Sequence, residues 1–285
     1  MSDKLKVLVS GATGQHDVGT GKLGRYGAAT PCALTRHPDG EAARALAARG
    51  AEPVAGDFDD PASLRRALAG VDAVYAMSAF WERGVDAEVA QGTALVDAAK
   101  AANVGHFVYS SVAGADKGSG VPHFESKHRV EQALVASGLP WTVLAPVYFM
   151  ENLLAFPQNV EGLKQGVYAV PLPADRALQQ VAVADIGAMG AVALERRLVG
   201  RRLELAGDEL TGAETAAALS RALGREIRYQ AVPVEAVKAQ SEDLYLMYRY
   251  FDEVGYQAPI AKLREEFPEV GWHGFSAWLG EQHLS

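Results

Sequence analysis

A glycine-spaced turn, Gly11-Ala-Thr-Gly14, follows directly on the apolar run Lys6-Val-Leu-Val-Ser10. Glycines at a strand-to-helix turn let the backbone approach a pyrophosphate, and the free amides that open a helix favour its negative charge. Gly11, Thr13, Gly14 and Gln15 are therefore candidate phosphate contacts. The full dinucleotide fingerprint asks for a third glycine three residues on, where Asp17 stands instead. A tight turn that binds nothing is the plain alternative, and the turn's place in a strand-helix-strand pattern favours binding.

Other candidates lie at the ends of later apolar runs. Arg36 closes the run from Cys32, near the place of an adenosine ribose in this pattern. A carboxylate there takes a free 2′-hydroxyl, whereas an arginine pairs with a 2′-phosphate, so Thr35-Arg36 points to NADP(H) ahead of NAD(H). Asp57-Phe58 ends the third run, where a carboxylate can accept from an adenine amino group; Asp59 and Asp60 compete as the cap of the next helix. Met77-Ser78 ends the fourth run and lines the same trough. Ser110 and Ser111 end the fifth, and Tyr148, Phe149 and Asn152 follow the sixth at the mouth of the crevice, where ligands of such sheets bind. Core packing is the alternative for Phe149.

The elements that must hold these residues alternate. Strands are predicted at 6–10, 32–36, 52–57, 71–77, 106–111 and 141–146, with helices at 41–49, 60–68, 85–102 and 126–137. Strands separated by helices of this length argue for a doubly wound, Rossmann-like parallel α/β sheet with right-handed crossovers. The pattern divides into a nucleotide-binding domain over 1–155, with a return segment at 178–208. A smaller C-terminal lobe on the substrate side covers 156–177 and 209–285 and holds helical stretches at 211–223 and 234–256.

The 285 residues are 49% hydrophobic and 22% charged, as in globular proteins, and the net charge of −8 argues against nucleic acid as a partner. One cysteine, Cys32, excludes an internal disulfide and suits the cytoplasm. No apolar run reaches the length of a membrane span, no signal-peptide core opens the chain, and no Cys/His spacing suggests a metal site.

Taken together, Gly11-Ala-Thr-Gly14, Gly56 to Asp60 with Ser63-Leu64, Gly70-Val-Asp-Ala-Val74, Ala98-Ala-Lys100, His106 to Ser111, Ser126-Lys127, Pro146 to Asn152, Val183-Ala-Asp-Ile-Gly187 and Trp278-Leu279 resemble the NmrA-like group of atypical short-chain dehydrogenase/reductases. The resemblance covers nearly the whole chain and implies a Rossmann-like fold that prefers NADP(H). The group holds quinone and triphenylmethane reductases as well as redox-sensing regulators. Ordinary short-chain dehydrogenases place a Tyr four residues before a Lys; here Lys127 is present and His123 stands at the tyrosine position. The expected site is thus Lys127, Ser111 and His123 for chemistry, with Lys127 also touching cofactor. The expected activity is hydride transfer to a small quinonoid or aromatic acceptor. The alternative is a non-catalytic NADP(H)-sensing regulator with a protein partner.

One segment disagrees. His16 to Pro31 holds four glycines and a closing proline where the first helix belongs, although its length fits. Each interior glycine costs a helix roughly 1 kcal/mol against alanine. The expectation is an irregular segment and weakened phosphate binding. Its origin stays open between a glycine-rich loop and a compensated frameshift: if its codons are GC-rich, Tyr26 to Cys32 read two places along as a helix end and strand start.

Overall fold

A computed structural model describes residues 5–11 and 29–282, which fall into two compact units. The first is drawn from Met1–Asp116, His123–Ala145 and Ile186–Leu203, the second from Lys117–Pro122, Pro146–Asp185 and Glu204–Ser285.

Seven strands make the sheet of the first unit: β1 (Leu5–Val9), β2 (Ala29–Thr35), β3 (Glu52–Ala55), β4 (Ala73–Met77), β5 (His106–Ser110), β6 (Trp141–Pro146) and β10 (Arg201–Leu205), in the order β10-β6-β5-β4-β1-β2-β3. The first six pair in parallel. Helices α1 (Glu41–Ala48), α2 (Pro61–Ala67), α3 (Val85–Ala101) and α4 (Pro122–Ser137) connect them. Each is present for the reasons the sequence offers. Asp60 accepts from the Ala62 amide at 2.9 Å and Pro61 occupies the first turn, so α2 starts there. β4 is apolar throughout and every residue of β5 is buried, because both of their faces are covered. Leu8, Val74, Phe107 and Val143 from the sheet pack with Leu64, Leu68, Leu95, Val96, Val130 and Leu134 from the helices. Gly92 lets α3 come close to α4: a Cβ there would lie 2.7 and 2.8 Å from the two methyls of Val130.

Three predicted boundaries move. β2 begins at Ala29, three residues before Cys32, and Pro31 precedes the register with β3, so its missing N–H is tolerated. α4 begins at Pro122, which brings His123 into its first turn. The helical stretch over 234–256 divides into α9 (Glu235–Lys238) and α10 (Glu242–Glu253), because Ser241 adopts extended backbone and caps the Leu244 amide at 3.2 Å. Of the segment 16–31, residues 16–28 lie outside the described residues.

The second unit contains β7 (Tyr148–Phe149), α5 (Asn152–Ala155), α6 (Pro157–Lys164), β8 (Val167–Val170), β9 (Ala177–Val181), β11 (Asp208–Thr211), α8 (Gly212–Leu223), β12 (Arg228–Ala231), α11 (Ile260–Glu266) and α12 (Phe275–Gly280), in addition to α9 and α10. α7 (Val183–Glu195) starts in this unit and ends in the first. Its sheets are β11-β9-β7 and β12-β8. Thr211 and Glu214 form a reciprocal capping box at α8, and Glu151 accepts from the Val183 amide and the Trp278 indole at 3.0 Å each.

His106 is buried at the start of β5, where its Nε2 lies 2.8 Å from the Thr142 hydroxyl. That hydroxyl donates to the Leu198 carbonyl, so the ring nitrogen is the donor to Thr142. Burial first, and Arg197 second, push the imidazole down from 6.5 to about 4. A folded-state value below the unfolded one means that protons bind the unfolded chain more tightly. Stability held at neutral pH is therefore lost as pH falls from about 6.5 towards 4. The loss reaches roughly 3 kcal/mol at most. Urea titrations at a series of pH values should show a flatter dependence in this window for His106→Gln; an unchanged slope would refute the account.

Candidate active site

Strand order reverses between β1 and β4, the place where open α/β sheets bind ligands. Ser10 stitches the two strands together at that point. Its amide donates to the Tyr75 carbonyl, its hydroxyl donates to the Met77 carbonyl at 2.9 Å, and the Met77 amide donates back to that hydroxyl at 2.8 Å. Gly11 follows with φ +71°, and a Cβ on it would sit 2.7 Å from the terminal methyl of Met77. The positive φ is what calls for glycine at the switch point, with the Met77 side chain closing over it.

One residue beyond Met77 begins a buried polar network. The Ser78 hydroxyl lies 2.7 Å from the Tyr109 phenol and donates to Glu88 Oε1 at 3.1 Å. Glu88, on α3, has a fully buried side chain. Its other oxygen accepts from the Ser126 hydroxyl, and Lys127 Nζ donates to Oε1 at 2.9 Å. The ammonium also donates to the Ser78 carbonyl at 2.9 Å. Two of its three N–H groups are thereby used among the described residues, and 12% of the side chain remains exposed. Burial, and then the Glu88 charge, raise the Tyr109 phenol well above its ordinary value. Met77, Ser78 and Lys127, predicted separately from sequence, therefore meet here.

Ser111 joins a different group. Its hydroxyl donates to Glu131 of α4, whose carboxylate also accepts from Arg202 Nε at 3.0 Å. Arg202 lies 3.3 Å from Asp116 as well and donates to the Val112 carbonyl at 3.1 Å. His123 uses its ring as an aromatic surface, stacked on Phe80 at 4.8 Å and edge-on to Phe124 at 4.7 Å. Trp81, 64% exposed, extends this group, its ring 3.9 Å from Phe80.

Arg36 stands just past the end of β2, exposed, 3.6 Å from Glu82. The Asp57 side chain accepts from the Asp59 amide at 3.0 Å and the Asp57 amide donates to the Ser63 hydroxyl at 2.9 Å, while Phe58 packs against the core. Thr13, Gly14 and Gln15 lie outside the described residues. Tyr148 and Phe149 belong to the second unit. There Tyr148 meets Phe251 edge-on at 6.1 Å, and burial raises its phenol while hydrogen bonds with Tyr248 and Asn152 lower it. Phe149 pairs with Val181 in the β7–β9 register. No group able to hold a metal ion occurs among the described residues.

Sequence reasoning missed Glu88, Glu131 and Arg202. For the first a signal existed: Glu88 falls on the same stripe of α3 as Gly92, Leu95 and Ala99, a carboxylate among residues that turn inward.

A model of the NmrA-like family matches residues 3–279, and the chain belongs to that family. An NAD(P)H azoreductase from Xenophilus azovorans is 35% identical over 234 residues, 81% of this chain and 79% of that one. Quinone oxidoreductase 2 of Escherichia coli is 32% identical over 231 residues, 79% and 77% of the two chains. The crystal structure of the NADPH-dependent quinone oxidoreductase from E. coli, complexed with NADPH, superposes with a TM-score of 0.80 at 26% identity, covering 96% and 98%. NmrA, a negative transcriptional regulator crystallised with NAD, shares the fold at 21% identity, with a TM-score of 0.81 and 98% and 95% covered.

Arg202 compensates Glu131, whose side chain is only 6% exposed. Removing one member of a buried pair strands the other, which costs about 3–5 kcal/mol. Arg202→Ala should lower the unfolding free energy by that order in a denaturant titration, and a loss below about 1 kcal/mol would show that water compensates Glu131 instead.

Proposed function

We propose that this protein is an NADP(H)-dependent reductase that passes hydride to a small quinonoid or aromatic acceptor. The observation that carries the reading is the meeting of Gly11, Met77, Ser78 and Lys127 at the β1/β4 switch point, with an ammonium that keeps one N–H for a ligand. The names of two relatives above 30% identity, an azoreductase and a quinone oxidoreductase, support the reaction class.

The residues present fit the nucleotide. Gly11 takes the positive φ of +71° that a tight turn after β1 needs, with the Met77 side chain seated against it, and such a turn lets backbone approach a pyrophosphate. Arg36 offers a guanidinium to a 2′-phosphate, at present facing Glu82. Lys127 holds the nicotinamide ribose with its remaining N–H. NADPH, when bound, supplies the hydride. The chain contributes placement: Lys127 orients, Ser78 and Glu88 fix the lysine, and the rings of half-buried Phe80 and exposed Trp81, backed by the buried His123 ring, give a planar acceptor a surface to stack on. The phenolic acid of ordinary short-chain dehydrogenases is replaced by His123, so the proton that accompanies hydride comes from water, Lys127 or His123. The single cysteine, Cys32, is buried and free, which suits a reducing cytoplasm. No helix among the described residues is long and apolar enough to cross a membrane.

Fluorescence titration with NADPH and NADH tests the cofactor assignment. Arg36→Ala should weaken NADPH binding about tenfold and leave NADH nearly unchanged, since a charge-assisted contact is worth roughly 1.5–3 kcal/mol. Glu82→Gln frees Arg36 and should tighten NADPH by up to about threefold, the range of an exposed ion pair. Equal losses for both nucleotides in Arg36→Ala would sink the 2′-phosphate contact. NADPH binding without turnover of menadione or an azo dye would overturn the reductase reading and leave a regulator.

A further inference from the structure

A carboxylate with no solvent exposure is an expensive thing to keep unless every acceptor site is answered. Glu88 is answered by three different elements. The Ser78 hydroxyl comes from the end of β4, and the Ser126 hydroxyl and Lys127 ammonium come from adjacent positions in α4, while Glu88 itself belongs to α3. Ser78 is engaged twice more, by Tyr109 of β5 through its hydroxyl and by Lys127 through its carbonyl. The close seat of α3 on α4 at Gly92, one turn from Glu88, sets the distance between the two charges.

A lysine side chain has four rotatable carbons and a spherical charge, so alone it defines a direction poorly. Here Glu88 Oε1 and the Ser78 carbonyl, each at 2.9 Å, fix the ammonium from two sides and leave one N–H with a single direction. We infer that Glu88 is the positioning residue of the site: acting through Lys127, it aims that N–H at the nicotinamide ribose and so sets both cofactor affinity and the geometry of hydride transfer. The inference rests on the reductase reading above. It makes no use of Glu88 as a proton carrier, and no bond to Glu88 forms or breaks.

The test is a double-mutant cycle with two readouts, the dissociation constant of NADPH from protein fluorescence and the single-turnover rate of menadione reduction. Glu88→Gln keeps the shape and one carbonyl oxygen but removes the charge. It should weaken NADPH binding about fivefold and slow reduction about tenfold. Lys127→Met should lose at least as much in both. In the double variant the losses should equal those of Lys127→Met alone within about twofold, because a residue that acts through the lysine has nothing left to position. Losses that multiply, or a Glu88→Gln protein that binds and reduces like the wild type, would overturn the inference.

Failure of the underlying reading looks different. Wild-type protein that binds no NADPH, or that binds it without reducing menadione, would overturn both, whereas Lys127→Met protein that binds and reduces normally would overturn the inference alone. Should Glu88→Gln not fold, as judged by circular dichroism, Ser126→Ala decides. It frees Oε2 without touching the ion pair, and should shift both readouts in the same direction by about threefold; no change would refute the positioning role.

Discussion

The first unit is organised around a charge that cannot be left alone. Glu88 has no contact with solvent, and an isolated carboxylate in such a place would take a proton or disrupt the fold. Compensation requires that α3, α4 and the end of β4 meet at one point, with the spacing that hydrogen bonds demand. Apolar packing between the same elements is tolerant of small slips, because dispersion has no direction. The ion pair and its two hydroxyls are not tolerant. They convert a hydrophobic layer into a defined register, and they do so beside the crevice where strand order reverses.

The rim of that crevice has a different character. Arg36 with Glu82 and Arg83 with Asp59 are exposed pairs, which contribute little and weaken with salt. Such pairs can exchange partners without a buried charge being stranded. The loop that carries Glu82 and Arg83 also carries Phe80 and Trp81, so one short segment presents ion pairs on one side and aromatic surface on the other. A rigid interior thus supports an adaptable edge.

Much of this was legible before any coordinates. The alternation of strands and helices, the cap at Asp60 and the family resemblance all follow from local chemistry or pattern, and the parallel sheet, the Ala62 hydrogen bond and the family match agree with them; of the glycine turn only Gly11 lies among the described residues. Met77, Ser78 and Lys127 were each visible as strand-end or motif residues. What could not be read was their convergence, since 49 positions separate Ser78 from Lys127 and only the crossover of α3 brings them together. Glu88 was hidden in a helix recognised by its apolar spacing; a carboxylate on that stripe was the clue. Ser111, expected as a strand-end hydroxyl, lies one residue past β5, and its partner, Glu131, and the partner's cation, Arg202, lie on elements whose faces a sequence does not order. The early start of α4 escaped notice because Pro122 looks like loop punctuation until it is seen as the first residue of a helix.

The edge strand β10 enters the sheet beside β6 although the whole stretch 147–200 lies between them in the chain. On the ribosome, β1 to β6 emerge first, and Glu131 with them, but the guanidinium that answers it is still 71 residues away (202 − 131). At about 5–20 residues per second, the nascent chain carries an exposed sheet edge for several seconds before Arg202 joins Ser111 and His128 around Glu131. Non-local closure of this kind slows folding and leaves β6 open to pairing with other chains in the interval. Biosynthesis of this protein therefore has a vulnerable window, set by strand order alone, that closes only when residue 202 clears the exit tunnel.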